Sequence, residues 1–265
     1  MNRIDVVFRQ LTKKGIPALI PFVTAGDPDM ETTYGLVLEI GRRGADIIEL
    51  GMPFSDPLAD GPTIQAASQR ALKQGVNLEG IFSLVEKLRC KTQIPLVLMG
   101  YYNPIYHFGL ERFGVQAAKL GVDGVIIPDL PPEEATLWKR IADPLGLYTI
   151  FLVAPTSPPD RIEKIVKLSH GFIYYVSVTG VTGTRKQLPS DLIACLKLVK
   201  KYTNKPVAVG FGVSTPDQVR FLAPHVDGIV VGSALIKVIE RHIGDDKLIP
   251  AVGDFIFSLK QAIID

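Results

Sequence analysis

The sequence predicts a (β/α)8 barrel, with residues 1–265 forming one domain and an additional helix at the N-terminus. Eight short apolar runs take turns with longer amphipathic segments along the chain. None of these runs alternates cleanly between polar and apolar residues, which is typical of parallel strands that are buried on both faces. A turn, an aspartate and an apolar run recur at Asp46, Asp123 and Asp227, at spacings typical of consecutive strand–helix units. Eight such units in one chain favour the barrel.

The strands are expected in the densest runs of Ile, Val, Leu and Phe. An open doubly wound sheet is the main alternative. It would need a glycine-rich dinucleotide loop after the first strand, and residues 24–28 do not form one. The predicted strands are Ala18–Val23, Ala45–Leu50, Leu96–Met99, Val122–Ile127, Thr149–Val153, Phe172–Val176, Val207–Val209 and Gly228–Val231.

Amphipathic helices are predicted between the strands. Several begin as helices prefer, with a polar N-cap side chain and acids or proline in the first turn, as at Asp29, Ser157 and Ser214. Met1–Lys14 and Asp246–Ile264 add a helix at each terminus. The remaining predicted helices are Thr32–Gly41, Leu78–Leu88, Arg112–Leu120, Pro132–Ala142, Pro158–Leu168, Pro189–Lys201, Thr215–Leu222 and Ser233–Arg241.

Composition narrows the class of protein. A hydrophobic share of 47% and a charged share of 21% are those of an ordinary globular chain, not of a disordered or fibrous one. The formal charge of +2 argues against nucleic-acid binding and against a polybasic membrane anchor. Two cysteines and four scattered histidines predict neither a disulfide framework nor a metal site. Because the N-terminal segment lacks the apolar core of a signal peptide and no apolar run is long enough for a bilayer, a soluble cytoplasmic protein is expected.

Two acidic residues lie at and beyond the end of the second predicted strand, where barrel enzymes place their chemistry. Glu49 is the only ionisable residue in the apolar run Ile47–Leu50, so lost solvation should raise its pKa. Asp60 follows on a loop that three prolines stiffen. Two carboxylates in different surroundings could divide acid and base roles. The alternatives are a rim glutamate satisfied by backbone donors or a lysine, and an aspartate that caps a turn.

Glycines mark the ends of the last three predicted strands, which run into Gly180–Gly183, Gly210–Gly212 and Gly232–Ser233. Glycines let backbone N–H groups approach an anion closely, and the helix that starts near Ser233 adds its positive dipole end. Loops after the last two strands often bind phosphate in this architecture, so a phosphate site is predicted here. Plain tight turns are the alternative, and Arg185 is more simply interpreted as a solvated loop residue.

Apolar and aromatic residues occupy the other strand ends. Each taken singly is consistent with core packing. Together they favour a pocket for a flat aromatic group. The pocket would lie close enough to the two carboxylates and to the glycine-bearing ends for one phosphate ester to reach all of them. These residues are Phe22, Met99, Tyr101, Ile127 and Tyr174.

The chain resembles the tryptophan synthase alpha subunits essentially from end to end. The likeness includes Pro21–Pro28, Ile48–Gln65, Pro128–Pro131, Gly180–Gly183, Gly210–Gly212 and Gly232–Ala234, of which Ile48–Gln65 is highly specific. The resemblance implies a (β/α)8 barrel that cleaves indole-3-glycerol phosphate into indole and glyceraldehyde 3-phosphate, in the last step of tryptophan biosynthesis. It further implies that this chain has no cofactor. The indole would pass through a tunnel to a beta subunit, which uses pyridoxal phosphate within an alpha2-beta2 assembly.

The resemblance also implies roles for individual residues. Glu49 and Asp60 become the catalytic pair, with Glu49 acting at indole C3 and at the glycerol hydroxyl, and Asp60 at the indole N1. The implied substrate-binding residues are Phe22, Met99, Tyr101, Ile127 (or its neighbour Ile126), Tyr174 and Thr182. The implied phosphate-binding residues are Gly183, Gly212, Gly232 and Ser233. The implied contacts with the beta subunit are Pro53, Asp56, Asn103 and Pro104.

Two other functions stay open on the residues alone. A different phosphate-binding barrel enzyme, such as an isomerase of an aminated sugar phosphate or a flavin-dependent oxidase, would use the glycines but has no obvious place for the loop from Glu49 to Asp60. A regulatory subunit could keep the fold without catalysis, although the two intact acids count against it. The sequence shows no lysine at a strand end that suits Schiff-base formation and no set of metal ligands. Neither of the two usual aldolase mechanisms, through a lysine Schiff base or through a metal ion, is therefore favoured.

Overall fold

The computed structural model describes residues 1–176, 191–210 and 212–264. Within these residues, nine strand segments form one sheet in the order β5-β4-β3-β2-β1-β9-β8-β7-β6. All the paired neighbours are parallel. The segments are β1 (Ala18–Thr24), β2 (Ile48–Gly51), β3 (Leu96–Met99), β4 (Gly124–Ile126), β5 (Tyr148–Ile150), β6 (Leu152–Val153), β7 (Ile173–Val176), β8 (Val207–Gly210) and β9 (Gly228–Val231).

The sheet closes on itself through the fifth predicted strand. That strand is interrupted at Phe151, so its two halves count as β5 and β6. The first half pairs with β4 and the second half pairs with β7, which places one run of chain at both edges of the sheet. The predicted (β/α)8 barrel is therefore confirmed, and the sixth, seventh and eighth predicted strands are β7, β8 and β9.

Twelve α-helices lie within the described residues, and most coincide with predicted ones. The helices are α1 (Arg3–Lys14), α2 (Met30–Arg42), α3 (Pro62–Lys73), α4 (Leu78–Arg89), α5 (Tyr102–Phe108), α6 (Leu110–Leu120), α7 (Thr136–Ala142), α8 (Pro159–Leu168), α9 (Leu192–Lys200), α10 (Pro216–Leu222), α11 (Ser233–Arg241) and α12 (Leu248–Ile264). Helices α3 and α5 are additions to the prediction. The buried face of α3 consists mainly of small residues, Ala67, Ser68 and Ala71, so its apolar periodicity is weak in the sequence.

Helix α1 covers the N-terminal end of the barrel. Its buried residues Ile4, Phe8 and Leu11 belong to the same apolar cluster as the inward-facing strand residues. The ring of Phe8 packs on that of Phe172, with centroids 5.6 Å apart. Because α1 closes this end, the end left for a substrate among the described elements is that of the C-terminal ends of the strands, which is where this architecture places active sites.

The recurring aspartates fasten neighbouring strands together. Each one precedes a strand and accepts a hydrogen bond from a backbone N–H of the strand before it. The bonds run from the N–H of Leu19 to Asp46 (2.7 Å), of Leu96 to Asp123 (2.9 Å) and of Val207 to Asp227 (2.9 Å). The internal repeat seen in the sequence therefore has a structural cause, which is the joining of consecutive strand–helix units.

Candidate active site

Glu49 lies inside the barrel on β2. Strand side chains alternate between faces, and Ile47 two residues earlier belongs to the inward-facing cluster, so Glu49 points the same way. Its side chain is fully buried, and neither carboxylate oxygen has a hydrogen-bond partner among the described residues. Burial raises the pKa of Glu49 to about 8. The carboxyl group therefore holds a proton near neutral pH, as the sequence predicts.

Asp60 lies on the loop between β2 and α3 and is tied down at three points. Its backbone N–H donates to the carbonyl of Pro57 (3.0 Å), and its own carbonyl accepts from the Gln65 side chain (2.7 Å). The hydroxyl of Tyr101 donates to Oδ2 of Asp60 (3.0 Å). Burial raises the pKa of Asp60 to about 6, and the bond from Tyr101 opposes that rise. Burial thus raises the pKa of both acids, and it raises that of Glu49 further.

Both carboxylates line one cavity at the C-terminal end of the barrel, with an empty volume of about 390 Å³. This location makes the cavity the candidate active site. Its described lining consists of Phe22, Glu49, Asp60, Ile64, Met99, Tyr174, Gly212, Val230, Gly232 and Ser233.

Tyr174 on β7 lines the same cavity as the two acids. Its side chain is 3% exposed, and burial together with the charges of Glu49 and Asp60 raises its pKa well above the usual value. The hydroxyl therefore keeps its proton. Gly210 on β8 makes room for this tyrosine, because a Cβ at that position would contact the Tyr174 hydroxyl and lie 2.8 Å from two of its ring carbons.

The part of the cavity lining formed after β8 and at the start of α11, called here the phosphate side, carries the predicted phosphate residues Gly212, Gly232 and Ser233. Gly232 is the N-cap of α11, and Ser233 is the first residue of that helix. The first N–H groups of the helix and the Ser233 hydroxyl are suited to binding an anion. Gly183, which was predicted with this group, and the substrate-binding candidate Thr182 lie outside the described residues.

The predicted aromatic-binding residues divide into three groups. Phe22, Met99 and Tyr174 line the cavity of the two acids. Tyr101 lines an adjoining cavity of about 290 Å³, which also contacts Phe22, Asp60 and Met99. Ile127 is buried in the apolar layer that surrounds the barrel and is not among the described residues that line either cavity.

The predicted partner-contact residues lie beside the site on its outer rim. Pro53 and Pro104 line a groove with an empty volume of about 980 Å³, and Asp56 and Asn103 are exposed. Leu58, on the loop between Asp56 and Asp60, is 77% exposed, and Tyr106 on α5 is 63% exposed. Sequence analysis did not single out these two residues.

Two lining residues of the candidate active site were also missed. Ile64 lies in the first turn of α3, and Val230 lies on β9 next to its glycine-bearing end. The Gly61–Pro62 pair could have indicated Ile64, because proline is favoured at the first position of a helix. A helix that starts at Pro62 places Ile64 in its first turn, close to Asp60. In the part of the chain that the structure describes, no three His, Cys, Asp or Glu residues are grouped as metal ligands.

The fold and this cavity define a (β/α)8-barrel enzyme whose paired carboxylates and glycine-bearing rim suit acid–base chemistry on a phosphorylated aromatic substrate. The sequence model of the family described as "Tryptophan synthase alpha chain" matches residues 8–253. The chain therefore belongs to the tryptophan synthase alpha chain family, and it is a lyase that cleaves indole-3-glycerol phosphate.

Individual relatives match all or nearly all of the chain. The tryptophan synthase alpha chain of Citrifermentans bemidjiense is 52% identical over 264 residues, which covers 100% of this chain and 98% of the relative. The crystal structure of tryptophan synthase subunit alpha from Legionella pneumophila superposes with a TM-score of 0.93 at 38% identity, covering 100% and 99% of the two chains. A chain from the tryptophan synthase a2b2 complex of Pyrococcus furiosus gives a TM-score of 0.86 at 41% identity, covering 92% of this chain and 98% of that one.

Proposed function

We propose that Glu49 and Asp60 divide the acid–base work of cleaving indole-3-glycerol phosphate. The observation that carries this proposal is that two acids with pKa values of about 8 and about 6 line the same cavity. Near neutral pH, Glu49 is protonated and able to donate, while Asp60 is ionised and able to stabilise positive charge. Two groups whose surroundings separate their pKa values are suited to acid and base roles.

The reaction begins when Glu49 donates its proton to C3 of the indole ring. C3 becomes tetrahedral, and the positive charge that develops at N1 is stabilised by the carboxylate of Asp60. The ionised Glu49 then accepts the proton of the glycerol hydroxyl next to the scissile bond. The bond between C3 and the glycerol carbon breaks, its electron pair returns to the ring, and the hydroxyl becomes the carbonyl of glyceraldehyde 3-phosphate. Glu49 ends the cycle protonated, and each proton transfer contributes roughly 10²–10⁴-fold to the rate.

The phosphate group of the substrate binds at the start of α11 in this proposal. Gly232 and Ser233 offer backbone N–H groups and a hydroxyl, and Gly212 lies on the same side of the cavity. The positive end of the helix dipole favours a phosphate there. Gly183 is proposed as a fourth contact on the grounds of the family resemblance.

The indole ring lies between the phosphate side and the acids, against the apolar walls of the cavity. Phe22 and Met99 supply the walls, and Tyr174 lines the same cavity within electrostatic reach of both acids. A flat apolar ring suits such walls, whereas a sugar would leave its hydroxyls without partners. Tyr101, Ile127 and Thr182 are proposed as further contacts from the resemblance.

Indole release from indole-3-glycerol phosphate tests the assignment. The chain alone is compared with Glu49→Gln, which keeps the shape of the side chain but cannot donate its proton. A loss of roughly 10²-fold or more is expected. Equal rates for the two proteins would remove Glu49 from the mechanism.

We further propose a beta subunit as the partner, in an alpha2-beta2 assembly in which pyridoxal phosphate belongs to the beta chain and this chain uses no cofactor. The exposed Leu58 and Tyr106 beside the groove of Pro53 and Pro104 support this proposal, because exposed large apolar side chains at one rim mark a contact surface. Leu58→Ser is expected to weaken activation by the beta chain, measured as indole production at increasing beta-chain concentration. Phe257→Ser, on the exposed side of α12, is the control.

The cell compartment proposed for this enzyme is the cytoplasm. Among the described residues, no helix has the length and apolar character that crossing a membrane requires. The near-neutral charge gives no support for a nucleic-acid or membrane partner.

A further inference from the structure

An ion-pair network outside the cavity joins three elements that build it. In α3, Arg70 donates two parallel hydrogen bonds to Asp27, from Nε to Oδ1 (2.7 Å) and from Nη2 to Oδ2 (2.9 Å). Its remaining terminal nitrogen, Nη1, bonds to Oε1 of Glu240 in α11 (3.1 Å). The Asp27 side chain is fully buried, while that of Glu240 is 49% exposed.

Each of the three connected elements carries part of the candidate active site. Helix α3 follows directly after Asp60 and contributes Ile64 to the cavity. Helix α11 begins at Ser233 on the phosphate side. The loop that holds Asp27 continues from β1, the strand of Phe22. One guanidinium group therefore connects the acidic loop, the apolar wall and the phosphate side.

The contacts are of a kind that fixes geometry. A two-bond pair between arginine and a carboxylate holds both planar groups in one orientation, and a lysine cannot reproduce it. Because the Asp27 side chain is buried, the pair is little screened by solvent. Neither Arg70, Asp27 nor Glu240 is among the described residues that line the cavity, so the network acts on the substrate only through other residues.

We propose that Arg70 is a positioning residue for the cleavage of indole-3-glycerol phosphate. It sets the distance between the Asp60 loop and the phosphate side at Ser233, and the proposal rests on the roles proposed above for those two residues. The intact substrate spans both sides, so an error in that distance penalises it more than a molecule that occupies one side only. A misplacement of about 1 Å can cost on the order of 10²-fold in rate.

The test compares Arg70→Lys with the unchanged protein. The variant keeps the positive charge but loses the two-bond geometry, and kcat for indole-3-glycerol phosphate is expected to fall about tenfold or more. The dissociation constants of inorganic phosphate and of indole, each measured alone, are expected to change less than about twofold, since each probe occupies one side. Arg220→Lys, which alters an exposed pair with Asp217 within α10, is the matched control and should leave all three quantities unchanged.

A double-mutant cycle with Asp60→Asn identifies the route of the effect. If Arg70 acts through Asp60, Arg70→Lys should lower kcat little further once Asp60 is replaced. Additive losses, an unchanged kcat in Arg70→Lys, or equal losses of phosphate binding and kcat would each overturn the inference.

If Arg70→Lys does not fold, Glu240→Gln, which removes only the ion pair with α11, is judged by the same criteria. An unchanged kcat in Asp60→Asn would refute the proposed function, whereas an unchanged kcat in Arg70→Lys beside a strongly lowered kcat in Asp60→Asn refutes only this inference.

Discussion

The hydroxyl of Tyr101 donates a 3.0 Å hydrogen bond to Oδ2 of Asp60 and accepts another of 3.0 Å from the backbone N–H of Ala59. Tyr101 follows β3, so this one hydroxyl fastens the loop of the second strand to the end of the third. A carboxylate on a long loop would otherwise be free to turn toward solvent. The pairing therefore fixes both the position of Asp60 and the balance between its two protonation states.

Tyr101→Phe should move the acid side of the activity profile to higher pH. The hydrogen bond from Tyr101 lowers the pKa of Asp60, so removing it raises that pKa above about 6. At pH 6 a smaller fraction of Asp60 is then ionised, and kcat/KM should fall several-fold more there than at pH 8. A pH series of kcat/KM checks this expectation. Tyr202→Phe, at a partly exposed site after α9, is the control, and identical profiles for all three proteins would disprove the role of Tyr101.

The unchanged protein should show a bell-shaped dependence of kcat/KM on pH. Activity needs ionised Asp60 and protonated Glu49, so it falls below pH about 6 and again above pH about 8. Asp60→Asn should lower the rate at all pH values and remove the acid limb, while the basic limb stays. A basic limb that persists in Glu49→Gln would assign that ionisation to a different group.

Glu49 should also reduce the stability of the fold as the pH rises. Its folded pKa of about 8 lies above the ordinary glutamate pKa of 4.5, so between these pH values the folded protein keeps a proton that the unfolded chain releases. The contribution of Glu49 to the free energy of unfolding is therefore greatest below pH 4.5. It declines as the pH rises to 8, by up to about 1.4 kcal/mol per pH unit. Glutamine does not ionise, so Glu49→Gln lacks this decline. The free energy of unfolding of the variant should therefore exceed that of the unchanged protein by an amount that grows from pH 4.5 to pH 8. Urea unfolding at several pH values measures this difference, and Glu163→Gln on the exposed side of α8 should show no such growth.

Much of the fold and of the acid pair was predictable because it depends on local patterns. Parallel strands buried on both faces leave uninterrupted apolar runs, and Glu49 is conspicuous as a charge inside one of them. The recurring aspartates were visible for the same reason, since each bond connects neighbouring units. Glycine-bearing strand ends likewise pointed to the rim that carries Gly232 and Ser233.

Other features depend on contacts that no local pattern encodes. Arg70 and Asp27 are far apart in the chain and meet only because α3 packs near the end of β1. The resemblance offered Ile126 or Ile127 for the pocket, and only the fold separates them: Ile126 belongs to the inward-facing cluster and Ile127 to the surrounding apolar layer, because neighbouring residues of a strand face opposite sides. Helix α3 escaped prediction since small residues form its buried face.

Gly210→Ala should lower activity by steric contact with Tyr174. The added Cβ would meet the Tyr174 hydroxyl and lie 2.8 Å from two ring carbons, closer than packed atoms allow. Tyr174 is 3% exposed and lines the cavity, so a ring displaced into the cavity would occupy the space that the substrate needs. Overpacking of this kind costs about 1–3 kcal/mol, and a loss of about tenfold or more in kcat/KM is expected. Gly41→Ala is the control, because a Cβ there meets its nearest neighbour at an ordinary 3.5 Å.

The same substitution in a chain that already carries Tyr174→Phe identifies the group that is displaced. The hydroxyl, which is the closest atom, is then gone, so Gly210→Ala should lower kcat/KM by a smaller factor. An equal factor in both backgrounds would show that the hydroxyl is not the group displaced.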